Sequence, residues 1–341
     1  SQIALAGDSV YVNTSSLRYR TSAQIEDNNI AGNLSYGQKL ERVGTSGQWT
    51  MILLNGMKYY VSSAYVTSKK PASAGAVQTT SQTAAGAQTS GGTAIALSSN
   101  YKYANYSKIN SGTATLYRST ASNKKNKVVC VNAGHGTNGG GSVKTQCHPD
   151  GSAKVTGGTT GAGATSAVAV SSGMTFADGT AESKVTLAMA KVLKTKLLNA
   201  GYDVLMIRES DDVQLDNIAR TVIANNNADC HIALHWDSTS SNKGAFFMSV
   251  PSNATYRAME PVASHWKQHN QLGESLISGL KSAGVKIYSK GSMEMDLTQT
   301  SYSTIPSVDI ELGDKASDHS GATLETLANG LLAGVNTFFG Q

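Results

Sequence analysis

An uncharged run of 24 residues divides this chain before any secondary structure is considered. Residues 71–94 consist of Ala, Gly, Ser, Thr and Gln with one Pro and one Val, so they offer almost no apolar surface to offset the entropy of ordering a backbone. We therefore predict a flexible linker over residues 69–95, with a folded unit on each side. Of the 341 residues, 40% are hydrophobic, which is enough for packed cores in both units.

The composition excludes several classes of protein. No stretch approaches the roughly 18 consecutive apolar residues that suggest a membrane span. The net charge is +5, but Lys and Arg are dispersed, which leaves an anionic polymer open as a partner and does not indicate nucleic acid. Three cysteines make no disulfide framework, and Cys130 and Cys230 lie in apolar runs that predict burial. The first residues lack the pattern of a signal peptide, so we expect that such a peptide is absent or was removed before residue 1.

Residues 1–68 contain short alternating apolar and polar runs that are separated by turns rich in Gly and Asn. This pattern is typical of a small barrel of five or six strands. The order of residues resembles a bacterial SH3-like (SH3b) domain in the segments Leu17-Arg18-Tyr19-Arg20, Gly47-Gln48-Trp49 and Lys58-Tyr59-Tyr60-Val61. Such domains usually dock on cell-wall peptides, so the resemblance implies wall binding, with a spacer that has no ligand as the alternative.

Residues 127–341 alternate between strand and helix patterns, after a polar, Tyr-rich connecting segment over residues 96–126 that has no firm assignment. Strands are predicted at 128–131, 202–207, 230–234, 245–250 and 305–312, and helices at 182–200, 215–223, 272–280 and 324–338. This alternation predicts an α/β unit with an open mixed β-sheet flanked by helices on both faces.

Ionisable side chains lie where these elements meet. In open α/β sheets the functional crevice lies beyond the carboxyl ends of the strands. His135 follows the first strand, His235 and Glu311 end two later ones, and Glu182 lies in the first turn of a helix. Two imidazoles and one carboxylate form an open zinc set that leaves a fourth position for water. Glu311 is then available as the proton shuttle that such a site needs.

Each of these residues also has a structural interpretation when it is taken alone. Glu182 would complement the helix dipole, His235 would form a hydrogen bond within the core, and Glu311 would end a salt-bridged strand. His135 lies between two glycines, which let a backbone approach a ligand closely. The combination of the four residues favours metal chemistry.

The other histidines are predicted to lie outside the site. His231 is four strand residues from His235, about 13 Å away along the strand, and is predicted to be structural. His265 and His269 share a helix face, but Trp266 occupies the position of the catalytic Glu in the helical zinc motif, so no metal site is expected there. The remaining two, predicted to be exposed, are His148 and His319.

From residue 127 onward the chain resembles the zinc-dependent N-acetylmuramoyl-L-alanine amidases of the amidase 3 (AmiC/CwlV-like) family. The matching motifs are Asn132-Ala133-Gly134-His135-Gly136, Ala181-Glu182, Gly201-Tyr202-Asp203-Val204, Leu234-His235 and Val308-Asp309-Ile310-Glu311-Leu312-Gly313. The resemblance implies that His135, Glu182 and His235 bind Zn²⁺. It implies that Glu311 is the catalytic carboxylate for cleaving the amide between N-acetylmuramic acid and the L-alanine of the stem peptide. A peptidoglycan partner, secretion to the cell wall and a monomer are expected with it.

This chain departs from the family pattern at several positions, which include Asp237, Asp314 and the pair Ser317-Asp318. Asn132-Ala133 replaces the usual Asp-Pro, and the gap of 47 positions from His135 to Glu182 is long. The extra residues, 137–180, are predicted to border the cleft as a lid or a substrate wall. Two other functions stay open from the sequence: a zinc peptidase that acts within the stem peptide, and a non-catalytic wall-binding protein that uses the α/β unit as a scaffold.

Overall fold

The computed structural model describes residues 8–14, 16–26, 29–54, 56–71 and 91–341. Contacts within the chain divide it into two compact units, Ser1–Ala84 and Ala85–Gln341. Most of the predicted linker, residues 72–90, lies outside the described residues. No helix in the described ranges combines the length and the apolar character that crossing a membrane requires.

The described part of the first unit is all-β, as predicted. Its strands are β1 (Asp8–Val12), β2 (Ser16–Arg20), β3 (Ile30–Ser35), β4 (Lys39–Ser46), β5 (Trp49–Leu54), β6 (Met57–Ser62) and β7 (Val66–Thr67). They pair antiparallel in the order β3-β2-β6-β5-β4-β1-β7. Alternate residues such as Val10, Val12, Ile52 and Val61 point into one buried core. The sequence did not reveal β3, because Gly32 and its polar neighbour interrupt the alternation. The SH3-like identity of this unit stays a prediction.

Ten strands and six α-helices lie between residues 91 and 341. The strands are β8 (Thr93–Ala96), β9 (Thr113–Tyr117), β10 (Val128–Ala133), β11 (Lys144–Gln146), β12 (Ser166–Val168), β13 (Asp203–Met206), β14 (Cys230–Asp237), β15 (Ala245–Ser249), β16 (Ile287–Glu294) and β17 (Ser307–Asp314). The helices are α1 (Glu182–Asn199), α2 (Asn217–Asn227), α3 (Ala254–Ala258), α4 (Val262–Ser282), α5 (Thr298–Tyr302) and α6 (Gly321–Phe339).

Eight of these strands form the predicted mixed sheet, in the order β16-β15-β17-β14-β10-β13-β9-β8. The central strands β17, β14, β10 and β13 are parallel, while β15 and β9 join them antiparallel. Burial of the central strands on both faces explains their solid apolar sequences.

Alternating side chains show that both faces of the sheet are covered, as predicted. Val129 and Val131 of β10 pack in one core with α1, α4 and α6, whereas Cys130 between them packs in a second core with α2. Cys130 and Cys230 are buried, free thiols, which confirms their predicted burial.

The structure shortens the predicted linker. Residues 93–95 lie in β8, which pairs with β9 at one edge of the sheet. An edge strand faces solvent along much of its length, so small and polar side chains suffice there, and the sequence carries no apolar run that would reveal it. The connecting segment 96–126 contributes β9, whose Ala114 is buried in the second core.

The insertion, residues 137–180, has little regular structure apart from the antiparallel pair β11–β12. Asp296, which follows β16, holds it from the opposite side of the cleft. This carboxylate is 1% exposed and accepts hydrogen bonds from the backbone N–H groups of Val155 and Thr156 at 2.9 and 3.0 Å. It also accepts from Nε2 of His148 at 2.8 Å, and Nζ of Lys154 lies 3.3 Å away. The predicted exposure of His148 is therefore wrong, because its ring is buried against Asp296.

Replacing Asp296 should loosen the insertion. Asp296→Ala leaves His148 and Lys154 buried without their carboxylate, so the free energy of unfolding of the second unit should fall by about 3–5 kcal/mol. Urea unfolding followed by helical circular dichroism measures this loss, and amide hydrogen exchange at Val155 and Thr156 should accelerate. Asp211→Asn, which replaces an exposed acid whose ion pair with Lys184 is also exposed, is the control and should change stability by about 0.5 kcal/mol or less. Unchanged exchange at both amides in Asp296→Ala would contradict the assignment.

The stabilisation that Asp296 provides should depend on pH. Burial raises the pKa of Asp296, but hydrogen bonds from His148, Thr156 and Val155 outweigh it, so the pKa is well below its ordinary value. The stabilisation is then fully present above the unfolded pKa of about 3.9 and is lost as the pH falls below that value.

Candidate active site

Three elements bring the predicted metal ligands to one place. His135 follows β10 with a left-handed backbone conformation, at a φ of 65°. Glu182 is the first residue of α1, and His235 lies near the carboxyl end of β14. Because β10 and β14 are parallel neighbours and α1 packs against both, these three positions meet at the carboxyl edge of the sheet.

The three side chains converge closely. Nδ1 of His235 lies 3.0 Å from Nε2 of His135 and 3.1 Å from Oε1 of Glu182. Nε2 of His135 lies 3.0 Å from the same Glu182 oxygen. Within the described residues these three form a His/Glu/His group whose ligand atoms could hold a metal ion.

The arrangement of these three nitrogen and oxygen atoms suits a cation. The two imidazole nitrogens and the carboxylate oxygen all carry lone pairs. Where these lone pairs face one another, the three atoms repel each other unless a positive charge lies among them. The separations of 3.0–3.1 Å are close to the distance of about 3.3 Å between ligands that are 2.0–2.1 Å from one tetrahedral zinc ion. The residues present therefore fit a divalent metal with nitrogen and oxygen ligands.

Backbone groups of the insertion orient two of the three candidate ligands. Nδ1–H of His135 donates to the carbonyl of Ser171 at 2.8 Å, which leaves Nε2 free to face the group. Oε2 of Glu182 accepts from the N–H of Met174 at 2.9 Å, and Oε1 accepts from the N–H of Trp236 at 3.1 Å. The insertion is thus part of the site, and it lines the cleft as predicted.

Two glycines permit the close approach of the three candidate ligand side chains. A Cβ on Gly134 would lie 2.2 Å from Cε1 of His235. A Cβ on Gly173 would lie 2.8 Å from the His135 ring and 2.9 Å from Oε2 of Glu182, and Gly173 has a φ of 82°. Both positions need glycine because the ligand side chains occupy the space that a larger residue would fill.

Buried arginines hold the loop that carries His135. Arg208 donates through Nε to the Ala133 carbonyl at 3.0 Å and through its NH2 group to the Gly134 carbonyl at 2.9 Å. Arg220 donates to the carbonyl of His135 at 2.8 Å. The guanidinium groups satisfy the carbonyls that the tight turn exposes, so the turn keeps its shape. No role was predicted for either arginine from the sequence.

Carboxylates dominate the electrostatics around His235. Burial lowers the pKa of this imidazole, but Asp309, Glu182 and Glu311 together outweigh burial and raise the pKa to about 10. Burial likewise raises the pKa of Glu182, and hydrogen bonds from the two imidazoles bring it well below its ordinary value. A divalent cation at the centre would replace the proton that these acids otherwise attract.

Glu311 lies in β17, in register with His235 of β14. Its side chain lines the same cavity as the ligand group, and the residue is 8% exposed. Oε2 of Glu311 has no hydrogen-bond partner among the described residues. Burial, and then the negative charge of Asp309, raise the pKa of Glu311 well above its ordinary value. Glu311 is therefore a buried carboxyl group without a structural ion pair, beside the ligand group.

The cavity has a volume of about 530 Å³. The candidate ligands and Glu311 line it together with insertion residues such as Thr160 and Ser172 and with Thr298 of α5. The cavity is therefore large enough to admit part of a polar polymer beside the candidate ligands.

The other histidines have structural partners. Nε2 of His231 lies 3.1 Å from Nδ2 of Asn132, and Nδ1 of His269 accepts from the backbone N–H of Ser307 at 3.0 Å. Burial lowers the pKa of His231 and of His269 to about 3, so both are neutral. His265 donates to its own helix start instead of sharing a metal with His269. His319 is only partly exposed, because it packs on Phe176.

No role was predicted from the sequence for one acidic residue of the cavity. Asp309 stands two positions before Glu311 and lines the cavity beside His235. The period-2 alternation of a strand places both acids on one face, and this signal was present in the sequence.

One of the similar known structures supports the fold. An N-acetylmuramyl-L-alanine amidase from Mycobacterium smegmatis, Ami1, matches with 18% identity and a TM-score of 0.52, over 64% of this chain and 99% of that one. An N-acetylmuramoyl-L-alanine amidase from Clostridium difficile 630 matches with 18% identity and a TM-score of 0.45, over 63% of this chain and 97% of that one. No curated protein sequence matches significantly.

The family comparison is more specific. Residues 129–329 match the family model described as N-acetylmuramoyl-L-alanine amidase (amidase 3). The matched range covers more than half of the chain and includes all four candidate site residues. This chain therefore belongs to the N-acetylmuramoyl-L-alanine amidase family and is an amidase that acts on peptidoglycan.

Proposed function

We propose that His135, Glu182 and His235 bind Zn²⁺ and that Glu311 is the general base and acid of the amidase reaction. The bond cleaved joins N-acetylmuramic acid to the L-alanine of the stem peptide. The observation that carries the proposal is the convergence of two imidazole nitrogens and one carboxylate oxygen within 3.1 Å of one another. Two histidines and one glutamate are a ligand set of catalytic zinc sites.

When bound, the zinc ion supplies the Lewis acidity that polarises the scissile carbonyl. Glu311 takes a proton from the attacking water and passes it to the nitrogen of the departing L-alanine. Burial raises the pKa of Glu311, which is the direction that favours donation of the proton to the leaving nitrogen. Its unpartnered Oε2 leaves it free to move that proton.

The insertion serves as a fixed substrate wall in this proposal. Asp296 holds residues 148–156, and Ser171 and Met174 contact the metal ligands directly. A lid would have to break these contacts in every turnover, whereas a wall keeps the ligands oriented. Hydroxyl groups such as those of Thr160 and Ser172 then face the glycan or the stem peptide.

The first unit is proposed as an SH3-like module that binds the cell wall, in a secreted, monomeric enzyme. A groove of about 630 Å³ lies between residues 23–26 and 46–49 of this unit. Ile25 at its rim is 68% exposed, which is unusual for a large apolar side chain and favours a contact surface.

Removal of the metal should abolish hydrolysis. Dialysis against a chelator should eliminate activity, and one equivalent of Zn²⁺ should restore it, because polarisation of the carbonyl depends on the ion. Mass analysis of the digested muropeptides should show glycan with an intact lactyl group and stem peptides that begin with L-alanine. Cuts within the stem peptide would instead establish a zinc peptidase, and full activity after chelation would refute the zinc centre.

Two substitutions should separate metal binding from proton transfer. Glu311→Gln should retain zinc and lower kcat by about 10²- to 10⁴-fold, because it removes the proton acceptor. His135→Ala should lose zinc itself, measured by metal analysis after gel filtration. Glu274→Gln, at an exposed position of α4, and His265→Gln, at a half-buried position of the same helix, are the controls and should retain both zinc and activity. Normal turnover in Glu311→Gln would remove Glu311 from the mechanism.

Wall binding should depend on the groove of the first unit. In the chelated full chain, Ile25→Asp should weaken binding to purified peptidoglycan sacculi by about fivefold or more, since an exposed apolar anchor is lost. Met57→Asp is the matched control, because Met57 is 57% exposed and lies outside the groove. Co-sedimentation measures both. Equal binding by the two variants would leave the groove without a role in wall recognition.

A further inference from the structure

Asp309 is a cavity acid that the proposed mechanism does not use. It lies in β17 two residues before Glu311, so both carboxylates project from the same face of the sheet. Its side chain is 15% exposed, and its Oδ1 has no hydrogen-bond partner among the described residues. A largely buried carboxylate with so few partners calls for a functional explanation.

The strand register brings Asp309 to His235. In the parallel pair β14–β17, Ala233 lies opposite Asp309, and His235 lies opposite Glu311. Because Ala233 has only a methyl group, the Asp309 carboxylate has room to extend along the strands toward the imidazole. Its Oδ2 lies 3.5 Å from Nε2 of His235.

The two nitrogens of His235 face different partners. Nδ1 faces His135 and Glu182, while Nε2 faces Asp309. A carboxylate at Nε2 favours the proton on that nitrogen and leaves the lone pair of Nδ1 for a cation. His135 shows the reverse arrangement, with Nδ1 bonded to the Ser171 carbonyl and Nε2 toward the group.

We propose that Asp309 is a positioning residue of the metal centre, which holds the Nε2–H form of His235 so that Nδ1 binds the ion. The inference rests on the zinc centre proposed above. Asp309 is not a fourth ligand, because its carboxylate approaches the ring nitrogen that faces away from the other two ligands. The centre then has one histidine held by a neutral carbonyl and one held by a charged carboxylate, and the carboxylate makes His235 the more basic ligand.

Zinc affinity tests this role without measuring catalysis. In the full-length protein, competition with a chromophoric chelator should give a Kd for Zn²⁺ that rises about 10-fold in Asp309→Asn and toward about 100-fold in Asp309→Ala. Asparagine has the size of aspartate and retains an acceptor oxygen, so Asp309→Asn should lose less zinc affinity than Asp309→Ala. Asp237→Asn removes another cavity acid, one that Lys243 already neutralises at 2.6 Å, and should leave the Kd within about twofold.

A spectroscopic measurement separates positioning from general destabilisation. With Co²⁺ in place of zinc, each histidine ligand should show one paramagnetically shifted N–H proton, Nδ1–H for His135 and Nε2–H for His235. In Asp309→Asn the His235 signal should exchange faster with solvent or disappear, while the His135 signal stays. A merely structural effect would change both signals.

The outcomes distinguish this inference from the proposal on which it rests. If the unaltered protein binds no zinc, both the centre and the role of Asp309 are overturned. If it binds zinc and Asp309→Asn binds equally tightly with an unchanged His235 signal, the role of Asp309 alone is overturned. Circular dichroism of each variant verifies folding, and weaker binding with only the His235 signal altered supports the inference.

Discussion

The architecture of the catalytic unit depends on one electrostatic constraint. Nε2 of His135, Nδ1 of His235 and Oε1 of Glu182 lie within 3.1 Å of one another, although each is an electron-rich atom. A positive charge among them, either a proton on an imidazole or a bound cation, relieves their mutual repulsion. His135 follows strand β10, His235 lies in the parallel strand β14, and Glu182 is the first residue of α1, so the arrangement depends on the packing of these three elements.

Much of the surrounding structure keeps these atoms in place. The carbonyl of Ser171 and the N–H of Met174 orient two of the proposed ligands, and buried Arg208 and Arg220 hold the turn that carries His135. A segment rich in Gly, Ser and Thr therefore works as part of the active site, with its far end held by Asp296. In the proposed metal centre, fixing the side chains in this way would lower the entropic cost of binding an ion, because the protein has ordered them already.

The carboxylic acids around His235 illustrate how position gives chemically similar groups different pKa values. Glu182 receives hydrogen bonds from both imidazoles and has a lowered pKa, while Glu311 is buried without a partner and has a raised pKa. Their environments therefore suit Glu182 to bind a cation and Glu311 to exchange a proton. An amidase needs both functions within one cleft, and the parallel strands β14 and β17 place the two kinds of acid around one imidazole.

The sequence by itself determined the fold class and nominated the four site residues. Solid apolar runs such as residues 128–131 identify strands that are covered on both faces, and helical spacing of Val185, Met189 and Leu193 identifies α1, because burial imposes a period on the chain. Only the tertiary structure decided what depends on pairing between distant segments. The edge strand β8, the burial of His148 against Asp296 and the contact between Asp309 and His235 join positions up to 148 residues apart, and no local pattern encodes a partner at that distance.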